Sequence, residues 1–382
     1  MEASTQKQAS YKRIILCVDG TWLASDVGNK SAPSNVARIA RAIAPSGVDD
    51  AGNVGGVGWG LDDDVCQTYD FVSNNYEPGD ELFFFGFSRG AFTVRSAANL
   101  VCEVGILSAV HMSHFADMWA AYRSNTAGKS FRNSTWYLEN KEKLGLQDVR
   151  VKVVGVWDTV GALGVPEWPV ASWAAKVGLP VNKQYAFHNT TVSKNMDYAF
   201  QALAIDETRL TFPPTIWHKN SEGPAKELQQ CWFPGVDNLS QMISFEESAI
   251  NTITEEHRRA LEAIGPTNNW GCGPMGDNYI GLRGAFFKAL GTKNRTPGQY
   301  QPAAENNSNG DTNEYFHPIT RIRHDSLNYE PASLRGLSLQ KPTAGAGWRW
   351  ARNDQQFVPE YIMRPEKTMS LRYEESGTTK YR

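Results

Sequence analysis

The sequence predicts an α/β fold: a mostly parallel β-sheet with helices on both faces. Three observations predict it. Apolar runs of strand length occur at Arg13–Val18, Glu81–Gly86 and Val149–Trp157. Segments of helical spacing lie between them, and clusters of Gly, Pro and Asp punctuate the alternation. The near-continuous apolar run Glu81–Gly86 suits a strand covered on both faces.

Arg13–Val18 (RIILCV) reads as a buried first strand that Asp19-Gly20 stops. Ser34-Asn35 caps a helical pattern that runs through Val36, Ile39, Ala40 and Ile43. Residues 46–60 are rich in Gly and Asp and read as a loop, and Asp64–Asn75 reads as a helix. Pro78-Gly79-Asp80 is a turn into the strand Glu81–Gly86 (ELFFFG), and Ser88–Val101 follows with helical spacing. A helical region, rich in Met, His, Trp and Tyr, occupies about 105–145 and is expected to be an insertion or a cap. Val149–Trp157 is the next strand, and Glu227–Phe233 reads as a further one ending at Pro234-Gly235. Residues 291–310 are rich in Asn, Gly and Pro and are expected to form a mobile loop. The expected organisation is one domain over 11–335 followed by a loose tail over 336–382, where apolar periodicity is lost. No internal repeat is seen.

Composition removes several function classes. Hydrophobic residues make up 41% and charged residues 21%, enough apolar matter for a core of useful size. The net charge of −3 offers no global basic field to nucleic acid or anionic lipid. No run approaches the roughly 18 apolar residues that a membrane span needs. Residues 1–13 have no apolar stretch of the secretory kind, and the 5 cysteines are scattered without a CxxC pair. Reduced thiols and a cytoplasmic location are the expectation. No metal-ligand spacing, phosphate-binding glycine loop or nucleic-acid motif is present, so no cofactor and no metal are expected.

Gly86-Phe87-Ser88-Arg89-Gly90 fits the G-x-S-x-G nucleophile elbow. A serine on a sharp strand-to-helix turn needs small residues two positions away on each side. The turn presents the hydroxyl at the sheet edge, and the helix N-terminus favours developing negative charge there. The strand before the motif and the helical pattern after it supply the required context. The fold class narrows to the α/β-hydrolase type, with Ser88 as nucleophile and the Arg89 backbone N–H as an oxyanion donor.

Residues 75–105 read NYEPGDELFFFGFSRGAFTVRSAANLVCEVG. The GFSRGA core, with Phe92, Thr93 and Arg95 behind it, closely resembles a large, poorly characterised α/β-hydrolase family of bacteria and fungi. That family includes phospholipase effectors of bacterial type VI secretion. Leu16–Trp22 (LCVDGTW), Val154–Gly164 (VGVWDTVGALG), Ala202–Phe212 (ALAIDETRLTF) and Cys231–Val236 (CWFPGV) resemble further blocks of the family, in its order. The resemblance implies a serine hydrolase of carboxylic esters, with a lipid or phospholipid as substrate.

The same resemblance makes Asp158, directly after the Val149–Trp157 strand, the triad acid. Its place at a strand's C-terminal end agrees with that role, and a helix N-cap is the structural alternative. Gly20 and Thr21, at the end of the first strand, offer a second oxyanion donor or a plain turn. A phosphatase reading of Asp-x-Asp-Gly-Thr fails because Cys17 stands where the aspartyl nucleophile belongs.

The base is where the sequence departs from the pattern. The family block continues Trp-Phe-Pro-Gly-Val-His into a glycine-rich turn. This chain has Asp237 at the histidine position and Asn238-Leu239-Ser240-Gln241 in place of the turn. Aspartate, with an ordinary pKa near 3.9, is a poor base for serine at neutral pH. His188, His218, His257, His317 and His324 follow Asp158 but sit in blocks that do not mark a base. Loss of the base, or loss of a short stretch after Val236, accounts for this better than a substitute histidine. The alternative function is therefore a catalytically degenerate protein that binds a lipid or a protein partner. Two other features are noted. The aromatic segment around Trp168 and Trp173 reads as a short helix on the core, with an acyl-chain wall as the functional alternative. Asp206-Glu207-Thr208-Arg209 reads as an internal salt bridge that fixes a loop.

Overall fold

The computed structural model describes residues 11–20, 34–42, 51–52, 61–125, 130–160, 191–210, 212–219, 226–235, 279, 285, 287–289, 291–300, 312–341, 347–353 and 356–362. Its main sheet has seven strands: β1 (Arg13–Val18), β2 (Ala51–Gly52), β3 (Glu81–Phe87), β4 (Val151–Trp157), β5 (Met196–Ala204), β6 (Glu227–Phe233) and β7 (Glu314–Phe316). The order is β2-β1-β3-β4-β5-β6-β7, and every pairing is parallel. The chain steps outward from β1 to β2 and then returns to the other side of β1 at β3. Strand order therefore reverses between β1 and β3, the place where open α/β sheets open a crevice at the carboxyl ends of their strands.

Alternation along the strands sorts the core. Ile14, Leu16 and Val18 of β1, with Leu82 and Phe84 of β3, face α2 (Leu61–Asn75) and α3 (Arg89–Val104). Ile15 and Cys17, with Phe85 and Phe87, face the opposite side, where α1 (Asn35–Ala42) and α6 (Pro318–Leu327) lie. Both faces are covered, as the unbroken apolar runs require. Burying one such side chain contributes about 1.5–3 kcal/mol.

The helical region after α3 consists of short 3₁₀ turns with α4 (Phe115–Ser124) and α5 (Thr135–Asn140). Met118, Phe131, Tyr137 and Leu144 bury into the α2/α3 cluster. The region starts at the C-terminus of α3, where Ile106 N–H bonds to Gln147 O at 2.9 Å. It therefore packs at the amino edge of the sheet, opposite the elbow.

Two expectations are corrected. The stretch 336–382 is not a loose tail through its first part. Ser338–Gln340 (β8), Arg349–Ala351 (β9) and Phe357–Pro359 (β10) form a three-stranded antiparallel sheet. Trp350 and Val358 bury with Trp232 and Phe316 in a third apolar cluster, and Arg321 and Glu360 form a buried two-pronged ion pair at 2.9 Å. Strands of three residues are too short to carry a visible period. Within 291–310, the described part, 291–300, is anchored: Arg295 is buried and Tyr300 stacks on Trp232 with ring centres 5.8 Å apart. The Trp168–Leu179 segment lies outside the described residues.

Candidate active site

β3 delivers Phe87 in register with Trp157 of β4. The next residue, Ser88, has φ 53° and ψ −116°, and α3 begins at Arg89. A non-glycine residue in this region is strained by about 1–3 kcal/mol. Two anchors hold it. Ser88 N–H donates to Trp157 O at 2.9 Å. The flanking glycines let three elements close on the turn. A methyl on Gly86 would stand 2.5 Å from Gly90 O and 2.6 Å from Val94 Cγ2. One on Gly90 would strike the Val18 carbonyl and stand 2.5 Å from Asp19 O. The first amides of α3, Arg89 among them, point out of the helix start without helical acceptors.

Gly20, at the end of β1, lies against the same turn: a methyl there would be 3.2 Å from Ser88 Cβ. Its N–H donates to Asp19 Oδ1 at 2.8 Å, while Ser34 Oγ donates to Asp19 Oδ2 at 2.6 Å. Ser34 also caps α1, accepting from Ala37 N–H at 3.0 Å. Burial raises the Asp19 pKa, and the Ser34 and Gly20 bonds oppose that rise. Thr21 lies outside the described residues.

Asp158 is the residue after Trp157, as Ser88 is after Phe87, so the two stand side by side on adjacent strands. Asp158 also has positive φ, 44°, and is fully buried. Its N–H donates to Ala202 O at 2.7 Å and its Oδ1 accepts from Ala204 N–H at 3.1 Å, both on β5. Both carboxylate oxygens meet the guanidinium of Arg295: Nη1 donates to Oδ1, and Nη2 to Oδ2 at 2.9 Å. Arg295 also donates to the carbonyls of Ala204 and Phe212 at 3.1 Å each. Sequence reasoning missed this residue.

On the α3 side of the sheet, Arg95 donates to Gln201 Oε1 at 2.9 Å and to Thr215 O at 2.5 Å, and its Cζ lies 4.0 Å from the Trp217 ring centre. Burial lowers its pKa to about 9. With Gln230, whose side chain pairs both backbone groups of Trp217, Arg95 fastens the 212–219 segment over β5 and β6. The Glu207–Arg209 ion pair exists as expected, with bonds of 3.0 and 3.1 Å from Arg209 Nε. Asp206 accepts from Gly235 N–H at 2.5 Å and from Tyr329 Oη at 2.7 Å, pinning the exit of β6. Position 237, just beyond, lies outside the described residues, as do His188 and His257.

None of the described histidines after Asp158 adjoins Ser88 along the sheet edge. His317 follows β7, four strands from β3, or about 19 Å at the usual strand spacing. It caps α6 through Nδ1, which accepts from Ile319 N–H at 3.2 Å, and stacks on Phe233. His218 is buried beside Arg95, and burial and that charge lower its pKa. His324 sits on α6 against Trp350 and Asp325.

His317 carries a pH prediction. Burial pushes its pKa down to about 3, against an ordinary value near 6.5. Between these values the unfolded chain binds the proton and the folded chain does not. Stability therefore rises with pH through this window and is lost as pH falls from about 6.5 toward 3, by up to ~1.4 kcal/mol per pH unit. His317→Asn keeps a capping acceptor and should flatten that slope, as urea midpoints at pH 7 and pH 4.5 would show.

Residues 50–238 match the family model described as "T6SS, Phospholipase effector Tle1-like, catalytic domain". The matched stretch includes Ser88, Asp158 and position 237. The chain is also 31% identical over 110 residues to the uncharacterized protein YEL023C of Saccharomyces cerevisiae, which covers 28% of this chain and 16% of the yeast protein.

Proposed function

Starting from the relationship of residues 50–238 to the catalytic domain of type VI secretion phospholipase effectors, we propose that this chain hydrolyses a carboxylic ester of a lipid or phospholipid through an acyl-enzyme on Ser88. The observation that carries the reading is the strained Ser88 at the strand–helix junction, with Gly86 and Gly90 packed too tightly for any side chain. The serine hydroxyl attacks the ester carbonyl and expels the alcohol, and water then releases the acid. The Arg89 N–H at the start of α3 is the first oxyanion donor. The Gly20 amide already serves Asp19, which leaves Thr21 as the better second donor. Asp158 is the acid, and Asp237 occupies the position of the base. The scattered cysteines favour a cytoplasmic setting.

With Asp237 there, turnover is slow. A general base contributes about 10²–10⁴-fold, so Asp237→His should raise the rate by at least about 10-fold where its loop keeps the side chain toward Ser88. The same replacement favours the second reading, a degenerate hydrolase that binds a lipid or a protein partner without cleaving. The two part on a direct experiment. The purified chain is incubated with phospholipid vesicles and fatty-acid release is followed. In parallel a fluorophosphonate probe is applied and the labelled residue located by mass spectrometry. Release together with label on Ser88 is expected; neither would leave the binding reading.

A further inference from the structure

The acid is fully buried, and the charge that balances it comes from 137 residues further along the chain. Arg295 is itself buried, at 3% exposure. Its two terminal nitrogens each serve twice, once on the Asp158 carboxylate and once on a backbone carbonyl, Ala204 or Phe212. A planar fork of this kind fixes the rotation of the carboxylate as well as neutralising it; an ammonium group would do only the second. The two carbonyls in turn fix the guanidinium against β5 and the segment after it. Asp158 thus has no freedom to turn without moving Arg295.

We propose that Arg295 is the positioning residue of the catalytic acid, fixing the orientation of the Asp158 carboxylate at the carboxyl edge of the sheet. This rests on the roles of Ser88 and Asp158 given above. Arg295 touches neither substrate nor nucleophile in this scheme; it acts through Asp158 alone.

The test is the kinetics of fluorophosphonate labelling in R295Q, R295K, D158N and the charge-neutral pair D158N/R295Q, each checked for folding by thermal unfolding. Removing one partner of a buried pair leaves an uncompensated charge, whereas removing both is far better tolerated. The double variant and R295K therefore carry the test if a single variant fails to fold. A misplacement near 1 Å costs roughly 10²-fold in rate. In the Asp237→His chain, where an imidazole stands for Asp158 to orient, R295Q should lower the saturating labelling rate by that order, with the half-saturating probe concentration and the final labelled fraction unchanged. R295K should recover the rate only in part. In the D158N background R295Q should bring no further fall, because both residues act through one carboxylate. A rate in R295Q equal to that of its Asp237→His parent, a further loss in the double variant, or a lowered labelled fraction at unchanged rate would overturn the proposal. So would failure of D158N/R295Q to fold, which would assign the pair to the fold alone. A wild-type chain that takes no label overturns the reading of Ser88 itself, a separate outcome from variants that label like wild type.

Discussion

Ser88→Ala is expected to abolish fluorophosphonate labelling and to reduce release of fatty acid from phospholipid vesicles to the background rate. Alanine keeps the Cβ that Gly20 packs against and leaves the backbone bond to Trp157 O in place. The fold should therefore survive, and the loss is chemical: the oxygen that forms the acyl bond is gone. In a complete serine triad, removal of the nucleophile alone costs about 10⁶-fold. Equal thermal stability with complete loss of label is the expected pairing. Persistent labelling at another residue would move the chemistry away from the elbow.

Gly90→Ala should unfold the chain or destabilise it by about 3 kcal/mol or more in urea titration. The added methyl meets the Val18 carbonyl, Asp19 O at 2.5 Å and Val18 C at 2.7 Å. These are backbone atoms at the end of β1 and just after it, where β1 is held in register with β3 from Arg13–Glu81 to Val18–Gly86, and they cannot rotate aside as a side chain would. The end of β1 and the start of α3 must separate, which takes the oxyanion region with them. Gly79→Ala is the control. Its methyl meets nothing within 4 Å, and only its φ of 106° opposes the change, so its cost should be clearly smaller.

Much of the sheet was legible because β1, β3 and β4 are covered on both faces and are largely apolar, while β6 was marked by its apolar end Cys231–Phe233 and the Pro234-Gly235 that stops it. β5 was not, because Asp197 and Gln201 interrupt it; both are buried, one paired with Arg150 and Lys226 and the other with Arg95. Polar residues that serve a network inside the protein look like loop residues in one dimension. The elbow was legible because its constraint is local, five residues with two glycines. Arg295 was not, because the residues around it, rich in Gly, Asn and Pro, carry no periodic signal, and its partner lies far back in the chain. Arg95 stood out in the motif, but nothing in the sequence tied it to the carbonyl of Thr215. The Asp19–Gly20 turn was expected at its place; the bond that occupies the Gly20 amide is a matter of side-chain rotation.

The distance in sequence between Asp158 and Arg295 has a consequence for how the protein is made. β1, β3, α3 and β4 all lie within the first 157 residues, so the half of the sheet that holds Ser88 can assemble while the rest is still on the ribosome. At synthesis rates of about 5–20 residues per second, Arg295 emerges about 7–27 s after Asp158, 137 residues earlier in the chain. Throughout that interval the carboxylate lacks its partner and must stay in water, since burying it alone is too costly. The acid end of that half therefore closes late, and a nascent or truncated chain ending before Arg295 holds the elbow without a finished site.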